Sequence, residues 1–502
     1  VTDDQAAFDA LQAKLVPLWS SIESFNPDPQ TIVVVPALPP GIFSGSRVQA
    51  YEERYLFLLL LLRQPSARLI YLTSFPIDHA ILDYYLGLLP GVIPSHARER
   101  LITLAPGDGS DASLSDKVLA RPRLLERIRG LIPDPDRAHL VPFFATERER
   151  RLAIALGIPM YAADPRFSPL GTKSGCRRLF AEEGVVHPAG REDLRDLDDV
   201  VAALGELRAE RPGMRAAIVK LDEGVSGMGN ATVDLEGVPE PGSAGAEEAV
   251  AARVRAMATE TGEPVESYAE RLAAEGGVVE ERVEGTEVRS PSVQMRVTPL
   301  GVLEMLSTHD QLLGGPKGQS YLGARFPADP EYAISISREA RKVGERLAAE
   351  GVIGRFAVDF VVVRGETGWD PFAIELNLRK GGTTHPFLTV QFLTDGVYDE
   401  ATGVFTAPSG MAKSFVASDH LESEAYRGLT PSDLFDVAVR HGLHFDPARQ
   451  CGVVFHMMTA LPEYGQTGLT AVGDDAEEAE ELHRRTITVL DEETRGAYAP
   501  DA

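Results

Sequence analysis

The chain has 502 residues, too many for one hydrophobic core, so roughly two to four domains or subdomains are expected. Hydrophobic residues make up 44% and charged residues 25%, the balance of a globular protein rather than a disordered or membrane-embedded one. With 49 basic and 75 acidic residues the net charge is −26, which repels nucleic acid and anionic membrane and leaves neither as an expected partner.

Two cysteines, Cys176 and Cys451, give neither a disulfide framework nor a metal set, and a reducing cytoplasm is the expected location. The acidic, amphipathic beginning does not read as a signal peptide. The apolar run Leu56 to Leu62 is too short to span a bilayer and reads as a buried helix.

Residues 1–165 alternate helix and strand. Helical patterns cover Ala6–Ile22, Ala50–Arg63, Ala80–Leu88, Leu114–Ile128 and Glu147–Leu156, with strands at Thr31–Val35, Arg68–Thr73, Leu101–Leu104 and His139–Phe143. This order predicts a mostly parallel sheet covered on both faces. No G-x-G-x-x-G follows the first strand, so a dinucleotide site is not indicated. Thr73 and Ser74 close a strand at the end where open α/β sheets place ligands, or form an ordinary loop.

Pro165 and Pro169 mark a boundary, followed by Lys173 and a short amphipathic helix, Ser174–Glu183. Ala216–Lys220 reads as a strand ending in lysine, and Glu223, Gly224, Val225, Ser226, Gly227, Met228 and Gly229 follow it. Glycines let backbone N–H groups approach phosphate closely, so Lys220 is a candidate contact to a nucleotide phosphate or base and the loop a cover for the outer phosphates. It is not a Walker A loop, because the lysine precedes the glycines. Residues 236–276 are acidic and carry no evident chemistry. Val278–Val283 reads as a strand. Ser292–Val297 and Val302–Ser307 read as a hairpin, and His309–Arg325 as a glycine-rich lid loop in which Lys317 is a candidate for the γ-phosphate and Arg325 for a substrate carboxylate.

After a helix over Ala333–Ala349 comes a second hairpin. Ala357–Val363 is apolar and β-branched, Arg364–Asp370 is a turn, and Phe372–Leu378 alternates, with Ala373, Glu375 and Asn377 on one face. Glu375 and Asn377 then stand about 7 Å apart along the strand, with Asp359 on the neighbouring strand. Two carboxylates and an amide are hard oxygen donors suited to Mg²⁺ bridging nucleotide phosphates. Arg379 and Arg355 lie close enough to stabilise an acyl phosphate or a tetrahedral oxyanion. His385 is a candidate for lining an acceptor pocket, although a lone histidine is more often structural. The tail holds a polar stretch, a helix from Pro431, a strand Gly452–Thr459, a loop with Gly465 and Gly468, and an acidic helix Asp474–Thr486.

Lys173 in GTKSG, Lys220 in AIVKLDEGVSGMGN, VVEERVEGTE and the D…E-L-N-L-R pattern at 359–379 stand in one order. In that order they resemble the ATP-grasp superfamily of carboxylate–amine ligases. Along nearly the whole chain the sequence resembles the peptide-ligase family of pheganomycin biosynthesis, through VVVPALP, YEERYLFLLLLLR, IYLTSFPID, LGTKSGCRRLF, IELNLRKGGTTHP and GVVFHMM. The resemblance implies an α/β fold: a Rossmann-like pre-ATP-grasp domain (1–165) on the substrate side, two ATP-grasp subdomains (166–283 and 284–404, the second with the metal site) and a C-terminal cap (405–502). It makes Lys173 a phosphate contact, the segment Glu280, Glu281, Arg282 and Val283 the hinge that holds adenine, and Glu287 the acceptor for the ribose hydroxyls. It implies ATP and Mg²⁺ as cofactors, and an enzyme that activates an amino-acid carboxylate and joins it to the N-terminal amine of a peptide in natural-product biosynthesis. A dipeptide or small-acid ligase, a carboxylate kinase and a non-catalytic nucleotide-binding module are the alternatives. A homodimer through the N-terminal domain is a further expectation.

Overall fold

Apolar β-branched runs that alternate with helical ones leave two sheet faces to be covered, and the first third of the chain covers both. The computed structural model describes residues 3–23, 28–40, 43, 45–224, 227–314 and 320–496. Val225, Ser226 and Lys317 therefore lie outside the described residues. Strands β1 (Gln30–Val35), β2 (Ala67–Leu72), β3 (Leu101–Leu104) and β4 (Ala138–Pro142) form a parallel sheet in the order β3-β2-β1-β4. Successive β1 residues point to opposite faces. Ile32 and Val34 pack with Leu56–Leu62, while Val33 and Val35 pack with Leu152 and Leu156 of the helix Glu147–Leu156.

Three helical expectations change. Ala50–Arg63 is an α-helix (Ser46–Glu53) running directly into a 3₁₀ helix (Arg54–Arg63). Apolar residues on every side carry no period that separates the two forms. Leu114–Ile128 is two helices, Leu114–Leu119 and Pro122–Gly130, because Pro122 lacks an N–H and opens the second. Ala6–Ile22 is likewise two, Asp3–Gln12 and Leu15–Glu23.

Strands β5 (Gly190–Leu194), β6 (Ala216–Leu221), β7 (Asn230–Asp234), β8 (Ala258–Thr259) and β9 (Gly277–Glu281) form an antiparallel sheet in the order β5-β9-β6-β7-β8. A larger sheet follows from β10 (Val288–Arg289), β11 (Pro291–Val297), β12 (Leu303–Gly314), β13 (Ser320–Phe326), β14 (Gly354–Arg364) and β15 (Trp369–Asn377). After the small β16 (Val397–Asp399) and β17 (Val404–Thr406) ribbon, the tail adds β18 (Ser414–Glu422), β19 (Gly452–His456) and β20 (Gln466–Gly473) to the same sheet. The order is β10-β14-β11-β12-β13-β18-β20-β19, with β15 on the free edge of β14. The helix Pro330–Ala349 buries Tyr332, Ile336, Val343 and Leu347 in one cluster with Val293, Phe356 and Leu376.

The glycine-rich "lid" His309–Arg325 is mostly strand, with Asp310 paired to Arg325 and Gln311 to Ala324. Gly323 serves close strand approach: a Cβ there would lie 2.1 Å from the Ala417 carbonyl oxygen. The polar stretch before Pro431 contains β18, and the loop holding Gly468 is β20. Gly468 faces His456 across the pair, and a Cβ there would sit 2.1 Å from the imidazole Nε2. Among the described residues no helix is long and apolar enough to cross a membrane.

The tail also packs back on the first domain. Leu56–Leu62 shares one core with Phe387–Leu393, Phe415, Leu469 and Val472, so a helix apolar all round is buried all round.

Candidate active site

A cavity of about 1180 Å³ opens between the five-stranded sheet, the nine-stranded sheet and the first domain. Lys220 and Glu280 come to it from β6 and β9, Asp359, Glu375 and Asn377 from β14 and β15, and Arg54 from the first domain.

The β14–β15 register sets Asp359 opposite Glu375 and Ala357 opposite Asn377. A bulge at Asp359/Phe360 leaves Ile374 as the extra residue on β15. The expected alternation is therefore broken: Ala373 joins Leu376 in the core, whereas Glu375 and Asn377 face the cavity with the bulged Ile374. Asn377 Nδ2 donates to Asp359 Oδ2 at 2.9 Å, and Gln311 Nε2 donates to Asp359 Oδ1 at 2.9 Å. Lys173 Nζ donates to Glu375 Oε1 at 2.6 Å and to the Gly224 carbonyl at 3.1 Å. Burial and the charge of Glu375 push the Asp359 carboxyl up. For Glu375 burial acts the same way but is outweighed by Lys173, which holds the carboxyl below its usual range. One cavity edge thus holds two carboxylates and an amide, and the Glu375 charge works against that of Asp359. A hard dication would relieve that repulsion, so the donor set fits Mg²⁺.

Lys173 opens the helix Lys173–Glu182. Asp222 fixes that helix, accepting from Ser174 N at 2.7 Å through Oδ1 and from Lys173 N at 3.2 Å through its carbonyl. Lys220 Nζ donates to Glu280 Oε2, and Arg177 Nη1 donates to Glu280 Oε1 at 2.8 Å. Glu281, Arg282 and Val283 continue along the same cavity wall, as do Gly227 and Met228. Glu223, Gly224 and Gly229 do not line it. Gly224 and Gly229 instead close the loop, each so near the other that an added Cβ would meet the partner's Cα at 3.0 Å. Gly227 takes a φ of 80°, which favours glycine.

Three candidates sit elsewhere. Glu287 is half-exposed, pairs with Arg289 at 2.7 Å and does not line the cavity. Arg325 pairs with Glu480 at 2.8 Å on the exposed side of β13. Arg355 also does not line the cavity, because its β14 position sets it opposite Arg296, near Tyr161 and Glu304. Burial and the Arg296 charge push its pKa down to about 10. Arg379 does line the cavity, with its guanidinium 5.1 Å from the centre of the Phe144 ring.

Residues not singled out by sequence complete the site. Gln311 was hidden by reading the second half of β12 as a loop. Arg54 and Asp419 reach the cavity from the 3₁₀ helix and β18. His385 lies behind them, its Nε2 3.1 Å from His456 Nε2 and 3.3 Å from Asp419 Oδ1.

Lys380 is 7% exposed and donates to the Pro142 carbonyl at 2.6 Å. Burial and the nearby Arg355 charge push its pKa down to about 7, against a usual value of about 10.4. Between these values the unfolded chain keeps a proton that the folded chain has released, so stability rises with pH across that window. Below pH 7 the cost of the buried charge is complete. Wild type is expected to gain about 2 kcal/mol relative to Lys380→Met from pH 7 to pH 9, measured by urea titration; parallel pH dependences would remove this account.

A family model described as "IQCH-like, ATP-grasp" matches residues 167–248 and 243–399, and one described as "PGM1 C-terminal domain" matches residues 433–486. The L-propargylglycine–L-glutamate ligase of Streptantibioticus cattleyicolor is 31% identical over 448 residues, covering 87% of this chain and 89% of that enzyme. IQ motif-containing protein H of Danio rerio is 24% identical, and the match takes in 97% of this chain but 50% of that protein's length. Among solved structures, the biotin carboxylase of Campylobacter jejuni aligns with a TM-score of 0.56 at 12% identity, over 95% of this chain and 96% of that one. An N5-carboxyaminoimidazole ribonucleotide synthetase in complex with ADP aligns at 0.52 and 11%, over 93% and 98%. The chain belongs to the ATP-grasp superfamily of carbon–nitrogen ligases.

Proposed function

We propose that the protein uses ATP and Mg²⁺ to activate the carboxylate of an amino acid as an acyl phosphate and joins it to the N-terminal amine of a peptide, in the biosynthesis of a peptide natural product. The observation that carries this reading is the convergence on one cavity edge of Asp359, Glu375 and Asn377, with Lys173 paired to Glu375 just behind the lining and Lys220 and Arg379 on the walls. Amide formation from a free acid is uphill in water, so the acid must first be activated. Asp359, Glu375 and Asn377 would hold Mg²⁺, which supplies charge neutralisation on the transferring phosphoryl group. Lys173 and Lys220 hold the phosphates, and Glu281 to Val283 receive the adenine edge. Arg379 neutralises the carboxylate as it approaches and then the oxyanion formed when the amine adds. The oxyanion collapses with loss of phosphate, leaving the amide. Walls from Phe143, Phe144 and Tyr321 exclude water from the acyl phosphate.

A second reading, ligation of two single amino acids, is favoured by the name of the Streptantibioticus relative, which gives two amino acids. ADP release from ATP and Mg²⁺, measured against a panel of amino acids with and without single amino acids and short peptides as acceptors, separates the two. Dependence on both an acid and a peptide amine supports the first reading, and equal service by single amino acids supports the second. Release with acid alone would mean a carboxylate kinase, and nucleotide binding without release a non-catalytic module.

A further inference from the structure

Arg54 opens the 3₁₀ helix Arg54–Arg63 and is 6% exposed, yet it lines the cavity. Its Nη1 donates to Asp419 Oδ2 at 2.6 Å. Asp419 is shared: its Oδ1 lies 2.7 Å from His456 Nε2 and 3.3 Å from His385 Nε2. The guanidinium is held against two rings as well, with Cζ 4.4 Å from the Tyr51 centroid and 5.4 Å from that of Phe143. A planar cation clamped by a carboxylate and two aromatic faces has little freedom left to lose on binding.

Asp419 engages only one of the three guanidinium nitrogens. Arg54 Nε is buried and has no hydrogen-bond partner among the described residues. A buried donor on a charged group is costly to leave unmade, and a carboxylate satisfies a guanidinium edge better than water does. The place is also distinct from the phosphoryl-transfer edge. Asp419, which anchors Arg54, is on β18, and β11, β12 and β13 separate that strand from Asp359 on β14. Arg54 and Arg379 still lie near enough for their charges to oppose each other. Both cations line the same cavity.

We propose that Arg54, clamped by Asp419, Tyr51 and Phe143, forms a subsite for a second substrate carboxylate, one that is bound but not activated. The inference rests on reading the cavity as a ligase site. The carboxylate is either the second acid group of the activated amino acid or the free C-terminus of the acceptor, and the two sources are separable by experiment.

Calorimetry in the presence of Mg²⁺ and ADP tests this with five probes: L-glutamate against its monoamides glutamine and isoglutamine, and dialanine against dialanine amide. In wild type one acid is expected to bind at least tenfold more tightly than its amide, and the arm that shows the preference identifies the source. Arg54→Gln is expected to abolish the preference, binding acid and amide alike. Where that variant fails to fold because Asp419 is left unpaired, the double variant Arg54→Gln/Asp419→Asn takes its place. Equal affinities for acid and amide in both arms, absence of binding by all five probes, or a preference that survives in the variant would each overturn the proposal. The ligase reading fails separately: a preference for acid without ADP release under any substrate pair leaves the subsite standing, and ADP release without any preference does the reverse.

Discussion

Glu375→Gln is expected to lower ADP release by about a thousandfold, a loss of roughly 4 kcal/mol in transition-state stabilisation, while the protein still folds and binds nucleotide. The substitution is nearly isosteric, so it leaves the β14–β15 pairing intact. It removes one of two facing anions and releases Lys173, whose ammonium sits 2.6 Å from Glu375 Oε1. With a single carboxylate, Asp359, and the amide of Asn377, the edge retains its shape but not the charge that draws a dication. The Mg²⁺ concentration for half-maximal rate should rise in parallel. Asn377→Ala tests the same edge more gently, because Asn377 would offer the metal a neutral ligand and gives Asp359 a hydrogen bond at 2.9 Å; a loss of about 10- to 100-fold is expected. Turnover within tenfold of wild type in Glu375→Gln, at saturating Mg²⁺, would take the metal away from this edge.

That edge was legible in the sequence because a strand has a period of two and its ends are marked by turns. Glu375 and Asn377 share a face whatever happens to their neighbours. The bulge beside Asp359 was not legible, since an extra residue leaves no mark in a polar–apolar pattern, and it moved Ala373 to the other side. Lys220, Glu280 and the glycine loop were placed by motif order, and both charged side chains line the cavity.

What sequence concealed has a common cause. Gln311, Arg54 and Asp419 come from elements whose role is set by distant partners. The second half of β12 and β13 looked like a loop because the glycines there resemble hinge residues, when Gly323 of β13 is there to let β18 approach. β18 and β20 looked like linkers because a strand in the middle of a nine-stranded sheet can carry Ser418, Asp419, Thr467 and Thr470 once neighbouring strands and side chains satisfy them. Arg54 sits at the end of an apolar run that advertises only burial. Glu287, which the resemblance made the ribose acceptor, pairs with Arg289, two residues later, and stands outside the cavity lining.

The second large effect concerns stability of the nucleotide half. Glu280 is 2% exposed and is the shared acceptor of two buried cations, Lys220 and Arg177. Burial pushes the Glu280 carboxyl up, and the charges of Lys220 and Arg177 more than reverse this, holding it below its usual range. Glu280→Gln keeps the volume and removes the charge. Breaking a buried pair by deleting one partner costs about 3 to 5 kcal/mol; because Arg177 retains Glu192 at 2.6 Å, the lower end is expected. Since β6 and β9 are paired through Lys220 and its neighbours, the loss should show as roughly 100-fold weaker hydrogen-exchange protection of those two strands. The double variant Lys220→Met/Glu280→Gln should recover part of that protection, because the stranded ammonium is gone, without recovering ATP affinity. The sign with pH follows from the depressed carboxyl. Its contribution is complete above the unfolded value of about 4.3 and is lost as pH falls through the lower folded value. Wild-type protection in β6 and β9 should therefore fall on acidification below about pH 4, while Glu280→Gln, having no proton to take up there, should lack that step. Equal protection in wild type and Glu280→Gln at neutral pH would show that the triad is held by its surroundings rather than holding them.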